Sequence, residues 1–465
     1  MASIGQTNIN KGVMTIVCFL AVLLVKAQKA ANFRYAMFQA SETHTGVYPP
    51  SKYNTLGILD WKFRSNGKIF SSPAVWNGMV YIGSEDHYLY AIDSKSGKSV
   101  WKFKTGGAVD SSPAVYENVI YFGSFDGYFY ALNARTGSLL WRFKTGGEKL
   151  IGYKGLWGMT PKDLYMEDQY DFYLSSPVLN FNDRNLTVYF GSSDGNLYAL
   201  DARAGKKKWA FRAKGIIHSS PALYNGVVYF GSFDTYLYAL DAASGRLNWK
   251  FKTGDQPVLH QMEGIQASPT CYKGSVYFGC RDAHFYSLDA NTGKLKWKVS
   301  TDGSWVLTTA AFKDGTLYIS TSDSYLFMAL DAKTGKEKFR FKANGYIYSS
   351  AAISGNTAYF GDFSGKLFAL NLLSGKPIST FATPERIHNS RQLLNKDNID
   401  FIYLIKSKDT MAYATSVAVM DELYKLGPIV SSPAISDGVI YFGSADGYVY
   451  AIDLMYLYLP PAQKK

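Results

Sequence analysis

The stretch Ser111–Gly147, SSPAVYENVIYFGSFDGYFYALNARTGSLLWRFKTGG, decides the fold, because close copies of it recur along most of the chain. It contains four short runs rich in Val, Ile, Tyr, Phe and Trp, separated by turn-forming residues. This pattern is typical of four antiparallel strands joined by hairpins. We name the four predicted strands a to d; they cover Ser112–Tyr116, Val119–Ser124, Tyr128–Asn133 and Leu139–Thr145.

Seven complete copies of this unit follow one another along the chain: Ser71–Gly107, Ser111–Gly147, Ser175–Gly215, Ser219–Gly254, Ala267–Gly303, Thr308–Gly345 and Ser349–Thr383. An eighth copy, Ser431–Asp453, lacks strand d, whereas Leu59–Gly67 is a strand d without a, b or c. A period of roughly 40 residues with four strands per unit is typical of a β-propeller. We therefore predict an all-β protein: an eight-bladed β-propeller of four-stranded antiparallel blades, its ring closed by the N-terminal strand.

Strand d carries most of the Trp residues of the chain. Six of the nine occupy the same position in this strand: Trp61, Trp101, Trp141, Trp209, Trp249 and Trp297. A large apolar ring that also bears a hydrogen-bond donor suits a contact between two sheets. We expect these residues to pack between neighbouring blades.

The composition is that of a large globular protein with a basic surface. The chain has 465 residues, of which 47% are hydrophobic and 16% aromatic, so it can bury a large core and is not disordered. Its formal charge of +12 favours anionic partners. The Lys residues lie mostly in the polar positions of strand d and its turns, so an ordinary solvated surface also explains the charge. We expect no nucleic-acid partner.

The N-terminus resembles a secretory signal. Lys11 precedes the apolar run Val13–Val25, which is too short to span a bilayer, so we predict a signal peptide over residues 1–27. An extension over 28–54, the propeller over 55–455 and a tail over 456–465 complete the organisation. We predict an exported protein that is periplasmic, outer-membrane associated or extracellular, with peripheral association with a membrane complex and the oligomeric state both left open.

Two Cys residues remain after the signal, and an exported protein invites a disulfide. If Lys273-Gly274 is the turn between strands a and b, Cys271 faces Val276, and the two sulfurs are on the order of 13 Å apart along the ladder. We predict that Cys271 and Cys280 are unpaired.

The units also resemble those of a known family. Tyr189–Trp209, YFGSSDGNLYALDARAGKKKW, and Tyr277–Trp297, YFGCRDAHFYSLDANTGKLKW, look like the repeats of pyrroloquinoline-quinone (PQQ) propellers. The resemblance covers nearly all of residues 55–455 and implies the propeller fold. Such repeats occur in quinoprotein alcohol dehydrogenases, in the outer-membrane assembly factor BamB and in many exported binding proteins, so the resemblance does not imply the cofactor.

An enzyme of this family would need cofactor-binding and catalytic residues in addition to the propeller fold. Quinoprotein dehydrogenases with this repeat usually carry an adjacent-cysteine disulfide, a calcium ion held by carboxylate and amide side chains, and a catalytic Asp; this chain has no Cys-Cys dipeptide. One Asp per turn recurs along the units, and hairpin chemistry explains that repetition better than metal binding does. The set consists of Asp86, Asp126, Asp194, Asp234, Asp282, Asp323 and Asp446. We predict no catalytic residue, metal or cofactor; PQQ and calcium belong to the alternative only.

Three insertions interrupt the repeat: Glu148–Leu174, Asp255–Gln266 and Pro384–Ile429. Each lies between a strand d and the next strand a. In a four-stranded antiparallel blade, d-to-a connections and b-to-c turns leave the same side of the disc. All three insertions therefore share one side, which we call the inserted face, and the third has a predicted helix over Val417–Leu426 that ends at Gly427 and Pro428.

Binding residues are sought on this face, because function concentrates in loops held by a rigid scaffold. Two aromatic residues could stack on a ligand, and five polar residues could contact it: Trp157 and Trp305, then Lys154, His260, Arg281, Arg386 and His388. For His260 and His388, an ordinary polar loop residue is the alternative.

Two hypotheses follow from the sequence. The first is an exported, non-catalytic propeller that binds a protein partner or an anionic or glycan ligand on the inserted face. The alternative is a PQQ-dependent alcohol or sugar dehydrogenase with an unusual site. The missing cysteine pair favours the first.

Overall fold

The computed structural model describes residues 35–156, 160–181, 186–254, 263–406 and 412–455. Eight antiparallel sheets form the blades of a propeller, and one of them gains a fifth strand, Tyr35–Ala36. The predicted fold class is confirmed. The predicted signal peptide and the tail over 456–465 lie outside the described residues.

The strands of each blade are given in the order a, b, c, d. Blade 1 has Ala74–Trp76, Met79–Gly83, Tyr88–Asp93 and Ser99–Lys104; blade 2 has Ala114–Tyr116, Val119–Ser124, Tyr128–Asn133 and Leu139–Lys144; blade 3 has Val178–Asn180, Thr187–Gly191, Asn196–Asp201 and Lys207–Arg212; blade 4 has Ala222–Tyr224, Val227–Gly231, Tyr236–Asp241 and Leu247–Lys252; blade 5 has Thr270–Tyr272, Ser275–Gly279, His284–Asp289 and Leu295–Ser300; blade 6 has Ala311–Lys313, Thr316–Ser320, Leu326–Asp331 and Glu337–Lys342; blade 7 has Ala352–Ser354, Thr357–Gly361, Lys366–Asn371 and Lys376–Ala382; blade 8 has Ala434–Ser436, Val439–Gly443, Tyr448–Met455 and, as strand d, Thr55–Arg64.

The ring closes through blade 8. Its outer strand, Thr55–Arg64, comes from the N-terminal side of the chain and pairs antiparallel with Tyr448–Met455. At the inner end of the same seam, the backbone N–H of Ser432 donates to Oγ of Ser72 at 2.9 Å. Both ends of the chain therefore contribute to one sheet, and the closure leaves no unpaired blade at the seam.

The Trp residues of strand d join each blade to the next. Nε1 of Trp101 donates to the carbonyl oxygen of Ala134 in blade 2 at 3.1 Å. The ring packs against Gly137 in the c-to-d turn of blade 2, where a Cβ atom would lie 2.7 Å from it. Gly137 also has a φ of +70°, so the turn needs glycine for two reasons. The expected packing of these Trp residues between blades is confirmed.

Part of the N-terminal extension lies against the inner strands. Tyr35 pairs with Tyr116 of blade 2. Farther along, the segment accepts or donates backbone hydrogen bonds at the inner strands of blades 4, 5, 6 and 7: Glu42 O from Leu223 N at 2.7 Å, Thr43 O from Cys271 N at 3.0 Å, Thr45 O from Phe312 N at 2.8 Å, and Tyr48 N to Ile353 O at 2.8 Å. The extension is therefore integrated into the propeller from residue 35 onward.

The two Cys residues of the propeller are both buried and unpaired in the described chain. Cys271 lies opposite Val276, as the predicted turn requires. Burial raises the pKa of both thiols. The predicted register and the prediction of two unpaired cysteines are confirmed.

The third insertion is helical. It contains α1 (Pro384–Leu393), a two-stranded ribbon of Leu394–Asn395 and Asn398–Ile399, α2 (Phe401–Lys406) and α3 (Ala412–Tyr424). The predicted helix over 417–426 corresponds to α3 but has different ends. No helix among the described residues is both long and apolar enough to cross a membrane.

Candidate partner-binding face

The first insertion crosses the axial end of the inserted face. It begins with a hairpin of Gly152–Lys154 and Tyr165–Glu167 and returns through Asp168–Leu174, which we call the axial segment. The hydroxyl of Tyr173 donates to the carbonyl oxygens of Tyr348 at 2.7 Å and of Val430 at 3.2 Å. These two residues precede the inner strands of blades 7 and 8, whereas the insertion leaves from blade 2. The axial segment therefore fills the space between opposite sides of the ring.

A buried ion pair holds the start of the axial segment. Nη1 of Arg281 lies 2.7 Å from Oδ2 of Asp168, and both side chains have no exposed surface. Arg281 Nε donates to Oε1 of Gln266 at 3.1 Å, and the guanidinium lies between the rings of Phe233 and Trp305, 5.0 and 4.5 Å from their centroids. Burial raises the pKa of Asp168, and Arg281 opposes that rise. The ion pair and the two aromatic rings over the guanidinium offset the loss of hydration that burial imposes on Arg281 and Asp168.

A second buried polar chain holds the middle of the segment. Nδ1 of His218 lies 2.9 Å from Oδ1 of Asp171, and its Nε2 lies 2.7 Å from Oγ of Ser193. The Ser193 hydroxyl donates to the carbonyl oxygen of Lys149 at 3.0 Å, and Asp171 Oδ2 accepts from the backbone N–H of Ile151 at 2.7 Å. The order Ser, His, Asp is that of a hydrolase triad. Here the serine proton is directed at a backbone carbonyl inside the protein, so the set links the insertion to blades 3 and 4.

The third insertion is anchored by a buried arginine. Thr383 caps α1 by accepting from the backbone N–H of Arg386 at 3.2 Å. The guanidinium of Arg386 donates to the carbonyl oxygen of Ser364 at 2.5 Å and pairs with the carboxylate of Asp397, which Lys366 also contacts. Burial alone would raise the pKa of Asp397, but Lys366 and Arg386 outweigh it and hold that pKa below its ordinary value.

Large apolar side chains remain exposed on the two described insertions. Seven of them are at least one-third exposed: Tyr153, Leu164 and Tyr165 in the first insertion, and Ile387, Ile402, Tyr403 and Ile405 in the third. We call these seven residues the apolar patch. The two insertions touch, because Nε2 of Gln169 donates to the hydroxyl of Tyr413 at 3.2 Å. Exposed apolar side chains in this number are typical of an interaction surface.

The structure divides the seven predicted binding residues into three groups. Lys154 and His388 are exposed, and Trp305 is half-buried over Arg281. Trp157 and His260 lie outside the described residues. The expectation that Arg281 and Arg386 are surface contacts needs correction, because each is buried against a carboxylate of an insertion.

Sequence reasoning missed Asp168, Asp171, His218 and Ser193 as a linked group. One signal was present: His218 and Gln266 stand directly before the first residue of a unit, where the last two units have Tyr348 and Val430. A polar side chain at a position that is apolar in other units indicates a buried polar partner.

The described residues contain no cluster of carboxylates that could hold a calcium ion. No group of three or more His, Cys, Asp or Glu side chains among them converges as a metal ion requires. The Asp residue of a b-to-c turn accepts hydrogen bonds from its own protein instead. In blade 2, Asp126 accepts from the backbone N–H of Tyr128 at 3.0 Å, and from the Tyr130 hydroxyl and the Gly106 backbone N–H at 2.7 Å. The buried Asp110 has an oxygen without a hydrogen-bond partner in this part of the chain, but burial raises its pKa well above the usual range, which favours a neutral acid.

Comparison with known proteins identifies the family. The family described as the outer membrane protein assembly factor BamB matches residues 54–153, 154–283 and 263–455. The chain belongs to this family. No curated protein sequence matches it.

Solved structures with the same fold include a BamB protein and two dehydrogenases. BamB from Moraxella catarrhalis has 16% sequence identity and a TM-score of 0.61, and the match covers 86% of this chain and all of that one. A europium-containing methanol dehydrogenase has 14% identity and a TM-score of 0.64, with 90% and 97% covered. The quinohemoprotein alcohol dehydrogenase from Comamonas testosteroni has 14% identity and a TM-score of 0.65, with 94% and 83% covered. At these identities the likeness shows the fold alone.

Proposed function

We propose that this BamB-family propeller is an exported, non-catalytic module that binds a protein partner of a membrane-associated assembly through its inserted face. The observation that carries the proposal is the filled axial end beside an exposed apolar patch. The axial segment occupies the centre of the face with its own side chains. The exposed surface beside it includes the seven large side chains of the apolar patch, which suit a protein better than a glycan or a small anion.

Three Ile residues of the patch provide the test. Ile387, Ile402 and Ile405 are 67%, 69% and 56% exposed, so replacing all three by Glu does not disturb the core. The matched control replaces Val100, Leu140 and Leu373 by Glu. These three residues are also exposed, but they lie near the c-to-d turns, on the side of the disc opposite the inserted face. The tagged protein is crosslinked in cells of its source and purified with its partner. We expect the patch variant to lose the partner and the control to keep it.

Two results would contradict the proposal. Equal retention of the partner by both variants would mean that the apolar patch is not the binding surface. Saturable, stoichiometric binding of PQQ with calcium, together with dye-linked oxidation of an alcohol or sugar, would favour the dehydrogenase alternative instead.

A further inference from the structure

The positive charge of this protein is concentrated on one surface. The eight strands d carry 17 Lys and Arg residues against two acidic ones, Asp60 and Glu337. Their net charge is thus +15, whereas the whole chain has +12, so everything outside these strands sums to −3. The net positive charge therefore lies on the outer strands, whereas cations and carboxylates nearly balance over the rest of the chain.

These strands form the circumference of the disc, and their alternation turns the cations outward. In blade 1, Trp101 and Phe103 point into the contact between blades, whereas Lys102 and Lys104 are exposed. Two such cations lie about 7 Å apart along a strand. The pattern recurs with at least one exposed cation at these two positions in every blade except blade 7, where Thr380 and Ala382 replace them. We call this arc of outer strands the basic wall.

The wall cations are held in place, yet most lack an acidic partner. Several of them lie over a Tyr ring of their own blade, and three examples are Lys102 over Tyr88 at 4.5 Å, Arg142 over Tyr128 at 4.6 Å, and Lys250 over Tyr236 at 4.4 Å from the centroids. Among the described residues, no carboxylate lies within ion-pair distance of any of these three. In the same outer strands, Arg340 pairs with Glu337, Lys296 with Asp289 and Lys338 with Asp331. The wall therefore presents ordered and uncompensated positive charge.

We propose that the basic wall binds a linear acidic polysaccharide that follows the circumference of the disc. A small anion would need only one blade, and a flat membrane can touch only one sector of a circumference. A flexible chain with an anionic group on each repeat can contact the cations of successive blades. The arc has two ends, because the wall is interrupted at blade 7, and this suits a linear polymer.

Nucleic acid fits the wall less well. Proteins that hold single strands without sequence preference offer open aromatic faces on which bases stack. On the wall, the Tyr rings of blades 1, 2 and 4 are already covered by the cations of their own strands. Anionic groups can be contacted there, but bases have no free ring to stack on in these blades. The wall is also distinct from the inserted face, so its role does not depend on the proposed function.

The test compares two variants of the full chain with equal charge change. The wall variant replaces Lys102, Lys104, Arg142, Lys144, Lys250 and Lys252 by Gln. The control variant replaces six exposed cations of the c-to-d turns by Gln: Lys98, Arg135, Lys206, Arg246, Lys294 and Lys333. Binding to polygalacturonate and heparin is measured by calorimetry over a range of NaCl concentrations, with neutral dextran, poly(dT) and phosphatidylglycerol vesicles as further probes. Thermal unfolding checks that both variants are folded.

We expect the unaltered protein to bind both acidic polysaccharides, but not dextran, with an affinity that falls as salt rises. The wall variant should lose at least about tenfold in affinity and the control less than about threefold, since screened surface charges each contribute little. A variant of blade 1 alone, Lys102→Gln with Lys104→Gln, should show a smaller loss. Absence of polysaccharide binding, equal losses in the two sixfold variants, or tighter binding of poly(dT) or vesicles at equal charge concentration would overturn the proposal.

Discussion

At the scale of single residues, charged side chains hold the insertions on the disc. Arg281 of blade 5 pairs with Asp168 of the first insertion, whereas Arg386, itself in the third insertion, donates to the carbonyl oxygen of Ser364 in blade 7. Burying a charge without a partner is costly, so the Arg281–Asp168 pair fixes the first insertion, and the contact of Arg386 with the Ser364 carbonyl fixes the third. The residues that looked most suited to contacting a ligand are instead internal supports of the face.

The first prediction concerns Arg281. Its replacement by Ala leaves Asp168 buried without a partner, so we expect the free energy of unfolding to fall by about 3–5 kcal/mol. The matched control is Arg340→Ala, because Arg340 pairs with Glu337 at the exposed surface, and we expect a loss below about 1 kcal/mol. Urea unfolding measures both. Adding Asp168→Asn to Arg281→Ala should recover part of the loss; similar losses in both single variants would contradict the buried pair.

The second prediction concerns pH. Burial lowers the pKa of His44 to about 4 from 6.5, against the opposing effect of its hydrogen bond to the Pro269 carbonyl. The folded state therefore favours neutral His44, and this stability is present above pH 6.5 and is lost as pH falls from 6.5 to 4. The loss is about 3 kcal/mol.

His44→Gln provides the comparison for this prediction. The variant should lack that part of the pH dependence, so the difference in unfolding free energy between the two proteins should change between pH 7 and pH 4. A constant difference across this range would show that His44 titrates normally in the folded protein.

At the scale of elements, the N-terminal segment is a structural part of the ring. Gly46 has a φ of +67°, and a Cβ atom there would lie 2.8 Å from the carbonyl oxygen of Ala351. Its own carbonyl accepts from the backbone N–H of Ile353 at 2.8 Å. The segment thus approaches blade 7 closely enough that only glycine fits.

The third prediction uses this contact. Gly46→Ala combines backbone strain of about 1 kcal/mol with overpacking of about 1–3 kcal/mol. The control is Gly78→Ala, which has a φ of +76° but meets no atom within 4 Å, so it should show the strain alone. Thermal or urea unfolding measures the difference. Equal destabilisation by the two changes would mean that the segment does not pack against the inner strands.

At the scale of the whole molecule, stability depends on closing the ring. Trp61 of the N-terminal strand donates from Nε1 to the carbonyl oxygen of Ser94 in blade 1 at 2.9 Å, and the strand pairs with Tyr448–Met455 of blade 8. One strand therefore joins the last blade to the first. The contacts at this seam stabilise every blade, because an open ring would expose the packing surfaces of its first and last blades to water.

The fourth prediction tests this closure. A chain that begins at Lys68 lacks the outer strand of blade 8, and we expect it to lose cooperative unfolding or to aggregate. A chain that begins at Tyr35 keeps the strand and should unfold as a single transition. Calorimetry distinguishes them, and cooperative melting of the shorter chain near the temperature of the longer one would contradict closure by this strand.

The sequence by itself determined the number of blades, the closing strand and the face that carries the insertions. Trp101 and Gly137 meet because the same spacing recurs in successive units, and strands within a blade pair through short turns. Contacts of this kind repeat with the period of the sequence, so periodicity is sufficient to predict them.

Only the tertiary structure decided what lies on the inserted face. Arg281 meets Asp168, and His218 meets Asp171, across segments of the chain that no repeat relates. The two extra helices of the third insertion and the path of the N-terminal segment likewise depend on packing against distant blades. Each of these contacts occurs once, and its stability comes from burial that exists only after the ring has formed. A polar residue before a unit, such as His218, indicates a buried polar partner but does not identify that partner.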